Sequence, residues 1–560
     1  MKAISSISSV FSMILLFSSI APAASSDSDS KPTHDVAITN VTVPSSCAKG
    51  DTVPVTISVA NKGSYRETFR VTLADVNSGK EIAGKEVILA KGWKDGSVDV
   101  ADQTFTCPDP GISNFGDQFA VGDVNNDGYD DLLVAAPRWN NNNFTGRVYL
   151  YYGDGASMEN IPDKIFTGEN IGDRFSDSGI KISDMNKDGY GDVLIGARAY
   201  NNITGRVYVY WGGNDMDVVP DKVIDGEESE SQFGKSISVG DLNNDGDLDL
   251  VVGANRYDNY RGRVYLYYGP IASDTTVDKI FTGENINDTF GHQTSARGDV
   301  DGDGCDDILV GTMYYPRNTA DGRAYLYYGD PGTTMDTTCD VYFDAENSRD
   351  EMGSFVDLFD IDNDGKAEVL ITAREYGRSD GRAYLYWGKD RGSMNNTVDL
   401  CFEGEPGNRS SFGGESIWAG DVNKDGYGDI VVSAYNYPDK KQIGRSYLYY
   451  GNTKGVMDTV YDRTFDGEEA DCNIQMTKTG DFNGDGFGDI VMAGWEYNNQ
   501  QGRCWLFYGP FDATAEITFN WNTTNATPGK HILKASIAPV AGEEDVAANT
   551  MTVEVEVKER

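Results

Sequence analysis

The nine-residue segment Asp123-Val124-Asn125-Asn126-Asp127-Gly128-Tyr129-Asp130-Asp131 recurs six more times, with first residues Asp184, Asp241, Asp299, Asp360, Asp421 and Asp481, at intervals of 61, 57, 58, 61, 61 and 60 residues. A fixed period of tens of residues dictates a repeat architecture, because each unit buries its apolar surface only against its neighbours. Within each unit the acidic segment leads into a short run rich in Val, Ile and Leu (Leu132 to Ala136, Val193 to Ile195, Leu250 to Val252). That run is too short for a helix and reads as a buried strand. Gly-Arg and an aromatic alternation follow, as in Gly146-Arg147-Val148-Tyr149-Leu150-Tyr151-Tyr152-Gly153, with counterparts from Gly205, Gly262, Gly322, Gly381, Gly444 and Gly502. Both faces of this strand are apolar, so its sheet must be covered on both sides. A strand of the type Asp163-Lys164-Ile165-Phe166-Thr167-Gly168-Glu169 closes the unit, and a Phe-Gly pair such as Phe233-Gly234 opens the next.

About four short strands in each unit of roughly 60 residues describe the blade of a propeller, whose radial repetition protects the sheet edges. A solenoid is the alternative, and the chain ends separate the two, since a solenoid needs polar capping repeats. The last unit stops at Gly502 to Gly509 without its closing strand, whereas an orphan copy of that strand, Asp102-Gln103-Thr104-Phe105-Thr106, precedes the first unit. The expected fold is therefore all-β, with a closed seven-bladed propeller over residues 102–512 whose last blade borrows the orphan strand. The flanks, 33–101 and 513–560, alternate apolar and polar residues at period two, as in Val55, Ile57 and Val59 or Val553, Val555 and Val557. Neither flank offers the strands of a whole sandwich. The expectation is one Ig-like β-sandwich with the propeller inserted between two of its strands, since a closed ring brings its two ends together.

Charge narrows the function. The 560 residues carry 47 basic and 89 acidic side chains, a net 47 − 89 = −42, with no basic run of the kind that phosphate backbones require. The three histidines, His34, His292 and His531, stand singly, which leaves little material for a His-ligated zinc site or a Ser-His-Asp hydrolase. Residues 1–23 read as a secretory signal: Lys2, an apolar stretch from Val10 to Ile20, then Ala21-Pro22-Ala23, with a mature start near Ala24. No second apolar segment follows, so the expected location is secreted or extracellular, with no transmembrane segment. Seven cysteines without CxxC spacing argue against a thiolate zinc site and leave disulfide pairing open.

The acidic segments carry the chemistry. Side-chain oxygens fall at position 1 (Asp123, Asp184, Asp241, Asp299, Asp360, Asp421, Asp481), position 3 (Asn125, Asn186, Asn243, Asp301, Asp362, Asn423, Asn483) and position 5 (Asp127, Asp188, Asp245, Asp303, Asp364, Asp425, Asp485). Position 7 supplies a backbone carbonyl (Tyr129, Tyr190, Asp247, Cys305, Lys366, Tyr427, Phe487), and position 9 a carboxylate (Asp131, Asp192, Asp249, Asp307, Glu368, Asp429, Asp489). A glycine at position 6 makes the sharp turn. Hard oxygens in a flexible loop suit Ca²⁺ better than Mg²⁺, and carboxylates this close repel one another without a cation among them. Position 12 of the first loop is Val134, in a strand, so these are calcium loops in β context and not EF-hands. Up to seven structural Ca²⁺ sites are expected, the fifth loop being the weak one because Glu368 replaces Asp and Lys366 occupies position 7. No extra base is placed for catalysis. Arg297-Gly298-Asp299 spells an adhesion-receptor ligand, but Asp299 is position 1 of the fourth loop and already engaged there.

Sixteen residues beyond the first Asp of each loop stands an aromatic: Trp139, Tyr200, Tyr257, Tyr315, Tyr376, Tyr437 and Tyr497. Each follows the buried strand and should lie on the face away from the calcium loops. They read either as packing residues repeated with the blade, or as a partner-binding rim of the composition found at protein hot spots and at sites that stack sugars or cations. The seven arginines of the Gly-Arg pairs, Arg147 to Arg503, read as partners for carboxylates of the blades.

On these residues the chain resembles the FG-GAP repeat family, the calcium-binding propeller at the head of integrin α subunits. The resemblance spans residues 102–512 and rests on Phe115-Gly116, Phe233-Gly234, Phe290-Gly291 and Phe412-Gly413, on Gly196-Ala197 and Gly253-Ala254, and on the acidic loops. Phe175-Ser176, Met352-Gly353 and Asn473-Ile474 depart from the pattern at the starts of units two, five and seven. The flanks look like a split CARDB-type adhesion domain, from Asp35-Val36-Ala37-Ile38 to Asn549-Thr550. The resemblance implies a non-enzymatic extracellular adhesion or recognition module whose protein or glycan ligand docks on the aromatic face, as integrin propellers clasp a basic residue of their β subunit. A carbohydrate-binding lectin is the alternative reading, and a polysaccharide-degrading enzyme on a calcium propeller a third. Eight Asn-x-Ser/Thr sequons, Asn143, Asn202 and Asn525 among them, fit an exported glycoprotein.

Overall fold

The computed structural model describes residues 34–559 apart from 63–65, 90–100, 140–142, 156–157, 317–318, 439–440, 469–470, 512–513 and 544–545. The expected signal segment, 1–23, lies outside the described residues. The chain is all-β, and its larger unit, Ile88–Ala513, is propeller-like. Among the described residues of this unit, seven four-stranded antiparallel sheets follow one another along the chain. The first runs, from its inner edge outward, Phe119–Gly122, Asp131–Ala136, Arg147–Tyr151 and Lys164–Thr167. The seventh takes Met476–Gly480, Asp489–Gly494 and Arg503–Phe507, and its outer strand is the orphan Gln103–Thr106, with Cys504 opposite Phe105 and Leu506 opposite Gln103. The inner strands touch their neighbours in chain order, and Met476–Gly480 of the seventh sheet touches Phe119–Gly122 of the first.

The apolar runs after the acidic loops are buried at every residue, as a strand covered on both faces must be. Their side chains interleave with the next sheet: Leu133, Val148 and Phe166 pack against Ile180, Val193 and Tyr208, and the same layering joins the seventh sheet to the first through Val491, Cys504 and Leu506 against Leu132, Tyr149 and Tyr151. The glycine of each Gly-Arg pair lets this happen. Gly262, at φ +84°, lies so close to the next sheet that a Cβ there would fall on the carbonyl oxygen of Phe290, well inside 3.0 Å. The three departures from Phe-Gly keep a close contact here, Phe175 and Met352 setting their carbonyl oxygens against Gly146 and Gly322, and Ile474 its backbone nitrogen against Gly444. The contact is made by backbone, so the phenyl ring is not required for it.

The smaller unit takes the described residues of Met1–Val87 and Thr514–Arg560. Thr52–Asn61 pairs with Val36–Thr42 on one side and with Thr514–Asn522 on the other, so strands from both ends of the chain share one three-stranded sheet. A five-stranded sheet likewise joins Glu67–Asp75 to Gly529–Ile537 and Thr550–Lys558. Alternate residues are buried, Val55, Ile57 and Val59 with Ile517, Phe519 and Trp521, and on the second sheet Phe69, Val71 and Leu73 with Leu533, Ala535 and Ile537.

Candidate metal loops and an arginine girdle

The seven acidic loops share one backbone geometry. Positions 4 and 6 are left-handed in each, at φ 55° and 90° for Asn126 and Gly128 and at φ 62° and 92° for Lys424 and Gly426. This winds the chain around the acidic side chains. Asp123 accepts the N–H of Asp127 at 3.3 Å and of Gly128 at 2.9 Å, Asn125 accepts Asp127 N–H at 3.1 Å, and Asp127 accepts Tyr129 N–H at 3.0 Å. The same bonds recur around Asp184, Asp241, Asp421 and Asp481. At position 9, Asp131 is fully buried and accepts Val124 N–H and, from just beyond the third strand, Gly153 N–H, each at 2.8 Å.

Burial pushes these position-9 carboxyls far above the usual range, to about 8 for Asp131, Glu368 and Asp489 and about 7 for Asp192, Asp249 and Asp429, against the lowering effect of the backbone N–H groups. The carboxylates at positions 1 and 5 push the same way in the Asp loops. A cation among them reverses that balance. The loops are also strung together. Gly191 N–H donates to Asp123 C=O of the loop before it at 2.8 Å, Asp306 to Asp241 at 2.9 Å, Gly428 to Ile361 at 2.8 Å, and Asp130 of the first loop to Asp481 of the seventh at 3.0 Å.

Two loops gather a denser cluster of carboxylates than the others, among them the fifth, which Glu368 and Lys366 mark as the weak one. Three carboxylate oxygens lie within 4.8 Å of one another at Asp299, Asp301 and Asp307 and at Asp360, Asp362 and Asp364, the loops with Asp at position 3. In the fourth loop Arg391 already neutralises the added acid, with Nε 2.6 Å from Asp301 and Nη2 3.1 Å from Asp303. In the fifth loop the Lys366 side chain points away, its Nζ donating to Asp301 C=O at 3.0 Å and to Asp390 at 2.5 Å. Asp362 there is 9% exposed, and its Oδ1 is buried with no hydrogen-bond partner. The donor set of the fifth loop thus fits a cation well, because an orphaned buried carboxylate oxygen is costly without one.

The aromatics beyond the second strands form a separate array. Each is half-buried, and each carries the guanidinium of its own repeat over its ring. The distances are 3.6 Å for Arg147 on Trp139, 3.8 Å for Arg206 on Tyr200, 3.5 Å for Arg263 on Tyr257, 4.0 Å for Arg323 on Tyr315, 3.7 Å for Arg382 on Tyr376, 4.0 Å for Arg445 on Tyr437 and 4.1 Å for Arg503 on Tyr497. The other side of each arginine meets carboxylates of the preceding repeat and, in several sheets, of its own fourth strand. Arg206 lies 3.1 Å from Glu169 and 2.5 Å from Asp225, Arg323 3.1 Å from Glu284 and 2.5 Å from Asp344, and Arg445 2.8 Å from Glu405 and 2.5 Å from Asp466. For Arg147 the acid is Asp109, 2.6 Å away, just after the orphan strand of the seventh sheet. Arginine is suited to this double task, since its flat face stacks while its edge forks onto carboxylates. Replacing Arg323 with Met, which keeps the stem but removes the charge, is expected to lower stability by about 1–2 kcal/mol in urea denaturation; an unchanged midpoint would show the girdle to be ornamental.

The Arg297-Gly298-Asp299 tripeptide is not presented as a ligand. Arg297 bonds to Asp357 and stacks on Trp418, while Asp299 accepts the N–H groups of Gly302 and Gly304. Among the described residues the seven cysteines are not joined by a disulfide. Among the described residues no helix is long and apolar enough to cross a membrane. Asn143, Asn202 and Asn525 are exposed.

The chain is thus all-β and propeller-like, and FG-GAP repeats match part of its length. The FG-GAP repeat matches residues 115–151, 182–210, 233–267 and 290–327, and the FG-GAP-like repeat matches 360–432. The chain is similar to integrin α subunits. It is 34% identical over 216 residues to integrin alpha-5 of Xenopus laevis, covering 36% of this chain and 20% of that one. To integrin alpha-7 of Rattus norvegicus it is 34% identical over 191 residues, covering 32% and 16%, and to integrin alpha-PS2 of Drosophila melanogaster 32% identical over 220 residues, covering 36% and 15%. The aligned part spans a fifth or less of the length of these relatives. Among solved structures, that of the Dos1 propeller overlaps at a TM-score of 0.36 and 10% identity, covering 86% of this chain and 95% of that one.

Proposed function

We propose that this chain is a non-enzymatic, extracellular, calcium-stabilised adhesion or recognition protein. In this reading residues 102–512 form a seven-bladed propeller with its first strand lent to its last blade, inserted into an Ig-like, CARDB-type sandwich made of 33–101 and 513–560. The observation that carries it is the sevenfold repetition of one acidic-loop geometry, with a carboxylate buried at position 9 of every loop, in a chain similar to integrin α subunits. Positions 1, 3, 5 and 9 and the position-7 carbonyl would hold Ca²⁺, which would neutralise the buried carboxylates. The similarity favours a protein ligand over a glycan.

Loop occupancy is open to a direct comparison. Asp362→Asn, which gives the fifth loop the position-3 Asn of five others, is expected to weaken its Ca²⁺ about tenfold in equilibrium dialysis, the loss of one hard anionic ligand, and to leave the number of sites unchanged. Asp301→Asn, whose carboxylate Arg391 already engages, is expected to weaken its loop less. The reverse ranking would restore the order expected from Glu368 and Lys366.

Partner docking is proposed for the side of the aromatics, where the ring edges and the faces not covered by arginine are available. Two triple variants separate docking from packing. Tyr257→Ala, Tyr376→Ala and Tyr437→Ala removes the rings, whereas Arg263→Met, Arg382→Met and Arg445→Met breaks the same stacks and leaves the rings. Captured from surface extracts in calcium and released by chelator, a partner that depends on the rings is lost only from the first. Equal loss from both would assign the aromatics to packing alone.

A further inference from the structure

The inner strands enclose a channel whose narrow part has a volume of about 100 Å³. Toward the acidic loops it opens into a vestibule of about 310 Å³ bordered by Gly240 and Asp306. Four residues line both spaces: Lys181, Arg297, Trp418 and Lys478. Three cations thus surround one indole at the junction, Arg297 Cζ at 3.9 Å, Lys478 Nζ at 4.8 Å and Lys181 Nζ at 5.5 Å from the ring centre of Trp418.

Their charge is not balanced. Asp357 is the carboxylate at hand, and both of its oxygens are engaged: Oδ1 accepts Arg297 Nε at 2.8 Å and Ser295 Oγ at 3.2 Å, and Oδ2 accepts Arg297 Nη2. Arg297 Nη2 also donates to Ala419 C=O at 3.2 Å. Neither Lys181 nor Lys478 has a side-chain hydrogen bond or ion pair among the described residues. At the junction three cations therefore face Asp357, while the Asp306 carboxylate at the vestibule's border accepts Asp241 N–H at 2.8 Å, inside a chain whose net charge is −42. Higher in the same channel the arrangement differs, for Lys235 is faced by Asp177, Glu415 and Asp117. The indole quadrupole offsets only part of the excess.

We propose that this junction is a binding site for a small free anion, a carboxylate or tetrahedral oxyanion held by Lys181 and Lys478 beside the Arg297–Asp357 pair. The narrow side of the junction, about 100 Å³, corresponds to roughly three water volumes and has room for a small anion. Two ammonium groups supply charge-assisted hydrogen bonds without imposing one geometry, which suits an anion of variable shape. Burial and mutual repulsion pull Lys181 down to about 8 and Lys478 to about 7 when no anion is present, so a bound anion would relieve both. Neither lysine nor Arg297 belongs to the donor set of an acidic loop, so the proposal stands whether or not the calcium reading does.

Calorimetric titration of the full chain with formate and with sulfate, at constant ionic strength and with a bulky counter-anion, is expected to give one site. Lys181→Gln with Lys478→Gln should weaken it at least tenfold. In anion-free buffer this double variant should melt no lower than the parent, because it removes like charges; cations that merely packed on Trp418 would give a less stable protein. A bromide-soaked crystal of the parent should show an anomalous peak beside Trp418, a test that needs no variant. Absence of both heat and peak, or unchanged affinity in the double variant, would overturn the proposal. So would binding of an acidic peptide where formate and sulfate fail, since the occupant would then be a partner's side chain.

Discussion

Stripped of calcium by a chelator, the chain is expected to melt at least about 10 °C lower and to recover when calcium is restored. A ligand that binds only the folded state adds about 2.7 kcal/mol when present at a hundred times its dissociation constant, and several such sites add together. The size of the effect follows from where the ligands sit. Asp131, Asp192, Asp249, Asp429 and Asp489 are fully buried at the start of the second strands, and Glu368 nearly so. Without a cation each must stay protonated or hold a charge out of water. Because loop donates to loop through backbone bonds such as Asp130 N–H to Asp481 C=O, loss of one ion is expected to loosen its neighbours. Scanning calorimetry with and without EGTA reads this directly, and a melting temperature indifferent to chelation would remove the structural role proposed for the ion.

The second large effect belongs to glycine. Gly262→Ala is expected to cost about 3 kcal/mol, because it combines left-handed backbone strain with a Cβ driven into the backbone of Phe290 in the next sheet. Gly332→Ala is the control. Gly332 is also left-handed, at φ +75°, but nothing lies within 4 Å of its would-be Cβ, so only the strain of about 1 kcal/mol is expected. Equal urea midpoints for the two variants would mean that the sheets separate enough to admit a methyl group.

Much of this was legible in the chain itself. The acidic period located every loop, and the alternation of Val55, Ile57 and Val59 marked a half-buried strand. The displaced segment Asp102 to Thr106 pointed to the pairing now seen with Arg503–Phe507. Other features were not legible because they depend on which repeat lies beside which. The sequence ranks the fifth loop weakest from Glu368 and Lys366 alone; that Lys366 turns to Asp390 while Arg391 crosses to Asp301 is settled only by the packing of adjacent sheets. The aromatics and the Gly-Arg arginines were both found by periodicity, but neither spacing shows that one stacks on the other. The channel residues Lys181, Asp357, Trp418 and Lys478 each stand three residues before the first Asp of their loop, but the residue type there changes from repeat to repeat, so no motif marks them; only the touching of the inner strands gathers them.

The central claim is that the acidic loops hold calcium. Diffraction from crystals grown in calcium, collected where its anomalous signal is measurable, tests it most directly. The expected map has peaks inside the loops, each about 2.3 to 2.6 Å from the oxygens of positions 1, 3, 5 and 9 and from the position-7 carbonyl. Loops filled with water alone at millimolar calcium, their carboxyls still hydrogen-bonded to backbone, would contradict it.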